Sequence, residues 1–245
     1  MIPLFKVFMS DEAAHETTKV LTSGYIGQGP QVEKFEDLLK EFLQNRNVVT
    51  TNSATSAEHL AIHMLKQPAS NIASYHGVAF AEKEWGGIED GDEILTTPLT
   101  CTATNWPILA NGIDIKWVDV DPNTCNIDLD DLERKNTPKT KAIMVVHWGG
   151  YPVDLDRLKA IQSNTQRLYG FKPVVIEDCA HSFGSTYKGK RIGAYGDEVE
   201  PGNICTFSFQ AIKHLTTGDG GCVTFPYEDQ VKRAKLLRWY GIDRD

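Results

Sequence analysis

At 245 residues, with 41% hydrophobic and 24% charged side chains, the chain has the make-up of a globular protein able to bury a sizeable core. A formal net charge of -8 argues against a nucleic-acid surface, and no uninterrupted apolar run reaches membrane-spanning length. The five cysteines (Cys101, Cys125, Cys179, Cys205, Cys222) form no Cys-x-x-Cys pair and no zinc-like cluster; their odd number and mostly apolar surroundings favour a reducing compartment. The start, Met1-Ile-Pro-Leu-Phe-Lys6, lacks the charged-then-apolar order of a secretion signal, so a cytoplasmic protein is expected.

Along the chain, strand alternates with helix. Residues 31–44 place Val32, Phe35, Leu38, Leu39 and Phe42 on one helical face. Asn47 to Thr51 reads as a strand and Ala54 to Leu65 as the helix after it. Residues 66–90 interrupt the rhythm and are too long for an ordinary connection; they read as a surface insertion, with a flap over a site as the alternative. Glu93 to Thr97 is again strand-like and leads into a helical stretch through Asn105 and Leu109. Further strands are predicted at Ile113–Val120, Ala142–Val146, Val174–Glu177, Ile204–Phe207 and Cys222–Phe225. Asp154 to Leu168 forms an amphipathic helix with Leu155, Leu158 and Ile161 on one face. Short apolar strands separated by helices predict an α/β fold, a three-layer α/β/α sandwich with a mostly parallel sheet covered on both sides.

In such sheets ligands gather at the carboxyl ends of the strands. Asn52-Ser-Ala-Thr55-Ser56-Ala lies between a strand and a helix, where hydroxyls and backbone N–H groups can hold a phosphate or simply cap the helix. Val174-Val-Ile-Glu-Asp178-Cys-Ala-His181 ends an apolar run on a carboxylate, with a histidine three residues later. Ser208-Phe-Gln-Ala-Ile-Lys213 sets a lysine in a short turn and is followed by Gly-Asp-Gly-Gly221. Singly, Asp178 reads as a turn-forming carboxylate, Lys213 as a solvated lysine and Ser208 as a buried strand serine. Jointly they suit pyridoxal 5'-phosphate: a phosphate cradle, a carboxylate that keeps the pyridine nitrogen protonated, and an amine that forms a Schiff base with the aldehyde. His59 and His63 stand four apart on a predicted helix, as metal ligands can, but no Glu follows His59 and no third ligand is apparent, so no metal is expected. No Gly-x-Gly-x-x-Gly follows a strand, which counts against a dinucleotide site.

On these and further segments the chain resembles the sugar aminotransferases of the DegT/DnrJ/EryC1/StrS family, which are pyridoxal-phosphate enzymes of fold type I. The segments are Gly24-Tyr-Ile-Gly-Gln-Gly-Pro30, Asn52-Ser-Ala-Thr-Ser-Ala57, Gly91-Asp-Glu-Ile-Leu-Thr-Thr-Pro98, Val118-Asp-Val-Asp-Pro122, Ile176-Glu-Asp-Cys-Ala-His-Ser-Phe-Gly184, Tyr187-Lys-Gly-Lys-Arg-Ile-Gly193 and the Lys213 turn. The resemblance implies that Lys213 carries the cofactor and moves the proton, that Asp178 pairs with the pyridine nitrogen, and that His181 lies near the ring face or its 3'-oxygen, a buried structural histidine being the alternative. It implies phosphate contacts from Thr55, Ser56 and Ser208. Cys101 stands where the family often stacks an aromatic residue on the ring.

The implied activity is transfer of an amino group, usually from glutamate, to a nucleotide-linked keto sugar, with a 4-keto-6-deoxy sugar as first expectation and lipopolysaccharide, capsule or antibiotic sugars as products. The working unit would be a homodimer. A dehydratase branch of the same fold has histidine in place of the lysine, so Lys213 favours transamination. Residues 1–245 would be the cofactor-binding large domain; similar proteins continue into a smaller domain that helps close the site. Weak or no turnover is therefore expected of these residues alone, with a non-catalytic cofactor- or partner-binding role as the alternative. Glu198-Val-Glu-Pro-Gly-Asn203 is a second, smaller departure from the family pattern.

Overall fold

The structure is a computed structural model, and it describes residues 6–66, 87–194 and 202–243. Most of the 66–90 insertion and of the Glu198–Asn203 segment lies outside the described residues. In chain order the strands are β1 (Val48–Thr51), β2 (Glu93–Thr96), β3 (Asp114–Trp117), β4 (Thr140–Val146), β5 (Val174–Asp178), the short β6 (Thr186–Tyr187) and β7 (Lys190–Arg191), β8 (Ile204–Ser208) and β9 (Gly221–Thr224). The helices are α1 (Asp11–Ser23), α2 (Pro30–Leu43), α3 (Ala54–Lys66), α4 (Thr102–Ala110), α5 (Leu129–Lys135), α6 (Leu155–Tyr169) and α7 (Glu228–Arg238). Among the described residues no helix is long and apolar enough to cross a membrane.

Seven strands form one sheet in the order β1-β9-β8-β5-β4-β2-β3, while β6 and β7 pair separately as a hairpin. The ladder from β8 through β5, β4 and β2 to β3 is parallel; β9 alone runs antiparallel to both its neighbours, β1 and β8. The turn before β9 explains this reversal, because a dozen residues without a helix cannot make the crossover a parallel strand needs. Side-chain alternation then divides the core in two. Ala142, Met144, Ile176, Ile204 and Val223 pack with Ala57, Ala61 and Leu65 of α3, Ile108 of α4 and Ala234 of α7. Ile143, Val145 and Val175 pack on the opposite face with Leu132 of α5 and Leu158 and Ile161 of α6. Leu39 and Leu43 of α2 close that second face over Cys205, Phe207 and Cys222. The predicted three-layer sandwich is the observed one.

Local chemistry fixes the helix ends. Asp154 caps α6 by accepting from the N–H groups of Asp156 and Arg157, and Gly170, at φ 81°, stops it. Asp128 caps the short α5 in the same way. The face predicted for α2 is corrected: Leu38 and Phe42 are exposed, whereas Glu36 is buried beside Leu39 and Leu43. Glu36 is tolerated there because its carboxylate meets Arg238 Nη1 at 2.8 Å and the Thr50 N–H and hydroxyl at 3.0 and 2.8 Å. The strand predicted over Ile113–Val120 is shorter, its end replaced by a bridge from Val120 to Ile127.

Candidate active site

The parity of β5 decides what Asp178 faces. It shares the α3 side of the sheet with Ile176, and there it is nearly fully buried. Its Oδ2 accepts from the Thr104 hydroxyl at 2.6 Å, and its Oδ1 from the Ala180 N–H at 2.9 Å. Thr104 is in the first turn of α4, and its hydroxyl also lies 2.7 Å from that of Thr100. Since the single Thr104 proton goes to Asp178, Thr100 donates to Thr104, giving a short relay that holds the carboxylate in place. In the sequence Thr100 and Thr104 carry no signal beyond their spacing of four after a strand.

His181 follows three residues later, with an exposed edge and its ring edge-on to Trp148 at 5.9 Å between centroids. Partial burial lowers its pKa from the ordinary histidine value; the Lys213 charge adds to the fall, and Asp178 opposes it. The imidazole is therefore neutral near pH 7. A bond from His214 to the Phe183 carbonyl brings the Lys213 turn against the turn that carries His181 after Asp178. Gly150 is needed behind them: at φ 84°, a Cβ there would meet the His181 carbonyl oxygen at 2.8 Å.

Lys213 is half-buried in the turn between β8 and β9. That turn is braced by backbone bonds from Lys213 N–H to the Gln210 carbonyl (2.8 Å), Phe209 N–H to the Gly220 carbonyl (2.8 Å) and Thr217 N–H to the Phe209 carbonyl (3.0 Å). The adjacent His214 donates to the Phe183 carbonyl at 2.8 Å, while the ammonium of Lys213 has no hydrogen bond or ion pair among the described residues. Cys101 is exposed at the N-cap of α4, the turn that carries Thr104.

The cradle lies where β1 turns into α3. Ser53 Oγ accepts from the Ser56 N–H at 3.1 Å, and Thr51 donates to the Ser53 carbonyl at 2.8 Å. Ser53, rather than Thr55 or Ser56, thus caps the helix, and the N–H groups of Ala54 and Thr55 keep no intrahelical partner. Ser208, buried at the end of β8, pairs across the sheet with Gly221 of β9. A Cβ on Gly221 would stand 2.4 Å from the carbonyl carbon of Ser53 and 2.5 Å from the nitrogen of Ala54, so only glycine lets β9 approach the cradle. A cleft of about 820 Å³ abuts it through Thr51, Asn52 and Ser56 and passes His59 and His63 to Trp239. His59 and His63 stack in parallel with centroids 6.4 Å apart, both exposed.

A second titratable cluster, His147, Glu177 and Cys179, is buried on the other face of the sheet. His147 Nδ1 accepts from the Val153 N–H at 3.1 Å, so Nε2 carries the proton and donates to Glu177 at 2.8 Å. Asn203 donates to the other Glu177 oxygen at 2.6 Å. These bonds use the ring and both carboxylate oxygens in a structural network, one strand position away from Asp178.

The donor set fits pyridoxal phosphate. Hydroxyls and N–H groups without intrahelical partners meet at a helix N-terminus that glycine lets β9 approach, a carboxylate is fixed by two donors, and the Lys213 amine has no ionic partner among the described residues. Comparison with known proteins agrees. The model of the DegT/DnrJ/EryC1/StrS aminotransferase family matches residues 8–245. AtS13 from Actinomadura melliaura is 51% identical, with a TM-score of 0.86, over 100% of this chain and 58% of its own. The sugar aminotransferase CalS13 from Micromonospora echinospora is 44% identical, with a TM-score of 0.85, over 100% and 59%. Spr1654 from Streptococcus pneumoniae, solved in a PLP form, is 28% identical, with a TM-score of 0.79, over 96% and 57%. The chain spans about half the length of the curated relatives it matches, 54–55% of two of them. The three-layer architecture is that of fold type I, and the cofactor is pyridoxal phosphate.

Proposed function

The chain belongs to the DegT/DnrJ/EryC1/StrS aminotransferase family, and we propose that it transfers an amino group from glutamate to a nucleotide-linked keto sugar, a 4-keto-6-deoxy sugar being the first candidate. The observation that supports this reading is that Asp178 and Ser208 end the neighbouring strands β5 and β8, beside the β1–α3 turn that Gly221 lets β9 approach, with Lys213 in the turn that follows β8. When bound, pyridoxal phosphate supplies an electron sink for the substrate carbon.

The protein's own groups would divide the remaining work. The Ala54 and Thr55 N–H groups, with the hydroxyls of Thr55, Ser56 and Ser208, would hold the phosphate at the N-terminus of α3. Asp178, fixed by Thr104 and Ala180, would hold the proton on the ring nitrogen. The neutral His181 would lie against the ring or its 3'-oxygen without adding positive charge. Lys213 Nζ would carry the cofactor at rest; once displaced by the donor amine, it would take the proton from the glutamate carbon and, in the second half-reaction, return one to the sugar carbon. Glutamate would leave as 2-oxoglutarate, and the keto sugar as an amino sugar. Cys101 offers a thiol where a flat ring would stack, so the opposite ring face has less aromatic cover than in an enzyme with a tyrosine or phenylalanine there. A homodimer in the cytoplasm belongs to the same reading.

Adding pyridoxal phosphate to the purified protein should raise a visible absorbance band that borohydride fixes covalently, and Lys213→Ala should lack it. Glutamate should bleach the band in the wild type. A folded protein in which Lys213→Ala keeps a borohydride-fixed band would remove the lysine assignment. A band that glutamate leaves unchanged would remove glutamate as donor.

A further inference from the structure

Glu58, on α3, faces the site from beneath. It is 1% exposed and on the same side of the sheet as Asp178: its Oε1 lies 3.5 Å from the hydroxyl of Thr206, the β8 residue that pairs with Asp178 in the ladder. As an anion it would be poorly served. Its Oε2 is buried with no donor, and its Oε1 has only the Thr206 hydroxyl at 3.5 Å, a proton that the Glu177 carbonyl also draws from 3.3 Å. Asp178, by contrast, has a donor on each oxygen. Two carboxyls that flank one threonine out of water resist ionising together, and donors decide which one does. We propose that Glu58 is a positioning residue for the cofactor: a neutral carboxylic acid that donates its proton to Asp178 and so helps Thr104 hold the carboxylate that serves the ring nitrogen.

Three things agree with this assignment. Protonation turns the orphaned Oε2 from an acceptor without a donor into a donor with an acceptor, which removes the cost of the buried atom. Burial pushes the Glu58 carboxyl well above the usual carboxylate range, and the neighbouring Asp178 charge pushes it further. The titratable groups that face it are Asp178 from β5 and the Cys101 thiol from the start of α4; neither is a cation that could hold Glu58 ionised. The consequence is a pair carrying one negative charge, matched to the single positive charge of a protonated pyridine nitrogen.

The inference rests on the assignment of Asp178 to the ring nitrogen, and the two can fail separately. The first measurement is the infrared difference spectrum, wild type minus Glu58→Gln, of the cofactor-free protein at pH 7. It should contain the carbonyl stretch of a protonated carboxyl; a carboxylate signal there instead overturns the proposal whatever the cofactor does. The second is titration with pyridoxal phosphate. Glu58→Gln, whose amide can still donate to Asp178, should bind within about twofold of the wild type, while Glu58→Leu should bind about tenfold more weakly, the size expected for losing one hydrogen bond to a charged group. The visible band of the Glu58→Leu complex should also titrate at a different pH. Equal affinity and an unmoved band in both variants would overturn the positioning role. If the protonated-carboxyl signal is present but Asp178→Asn binds cofactor and titrates like the wild type, Asp178 is misassigned and the neutral Glu58 stands.

Discussion

Thr104 Oγ1 lies 2.6 Å from Asp178 Oδ2, so the first turn of α4 grips the end of β5 by a hydrogen bond to a charged acceptor. Thr104→Val keeps the shape and removes the proton. It should lower stability by about 1.5–3 kcal/mol, because Asp178 loses a donor while remaining almost fully buried. It should also weaken cofactor binding, whereas Thr100→Val, one bond further out, should do less on both counts. Urea unfolding and cofactor titration of the two variants check this order.

Gly221→Ala drives a methyl carbon to within 2.4–2.7 Å of the Ser53 and Ala54 backbone. Backbone cannot rotate aside as a side chain can, so either β9 or the cradle must move. A loss of about 1–3 kcal/mol is expected, with weaker phosphate binding beyond it. Gly27→Ala is the control, since nothing lies within 4 Å of a Cβ there. Equal stability of the two variants would show that β9 does not press on the cradle.

The Glu36–Arg238 pair joins α2, β1 and α7. Burial raises the Glu36 carboxyl, but the Thr50 N–H, Arg238 and the Thr50 hydroxyl outweigh that and leave it below its usual range. Arg238 Nη1 also reaches the Thr50 carbonyl at 2.9 Å. Arg238→Met strands a buried carboxylate and should cost about 3 kcal/mol. Adding Glu36→Gln to that variant should recover part of the loss, which a thermal unfolding series on the single and double variants would reveal.

Asp131 supplies a pH test. The Asp119 N–H, then Lys135 and Arg134, hold its carboxyl at about 2, below the ordinary aspartate value of 3.8. A group depressed on folding stabilises the protein above its unfolded pKa and loses that contribution as pH falls through the folded one. The window is therefore pH 3.8 down to about 2. Asp131 is little exposed, yet its partner Arg134 is largely and Lys135 partly in water, so screening limits the contribution to about 1–2 kcal/mol. Asp131→Asn should be less stable than the wild type at pH 6 and draw level near pH 2, as read from urea midpoints.

Much of this was legible in the sequence because the signals were local. Asp178 ends an apolar run, Lys213 follows another across a glycine-rich turn, and Thr55 and Ser56 open a helix; each sits where the sheet places it. The insertion at 66–90 was legible as an interruption of the rhythm and no further. What escaped was either weakly patterned or relational. α1 buries no residue, α7 buries Gln230 and Ala234 in place of an apolar stripe, and α5 has only seven residues, too few for a period to show. Glu58 and Thr104 read as ordinary helix residues until the fold buries one on the Asp178 side of the sheet and bonds the other to that carboxylate, 74 positions away. The reversal of β9 was present as a connection too short for a crossover, but nothing in an apolar run of four residues states its direction.

That reversed strand also orders the assembly of the molecule in time. β1 borders only β9 in the sheet, with Val48 opposite Thr224 and Thr51 opposite Gly221. A chain emerging from the ribosome completes β1 early and can pair it only when nearly the whole of this sheet has been made. Until then β1 has no strand on either side and the cradle behind it has neither Ser208 nor Gly221 across from it. Cofactor capture at the proposed cradle would thereby be deferred to the closing of the sheet, and a nascent chain arrested before β9 would present a sticky strand there.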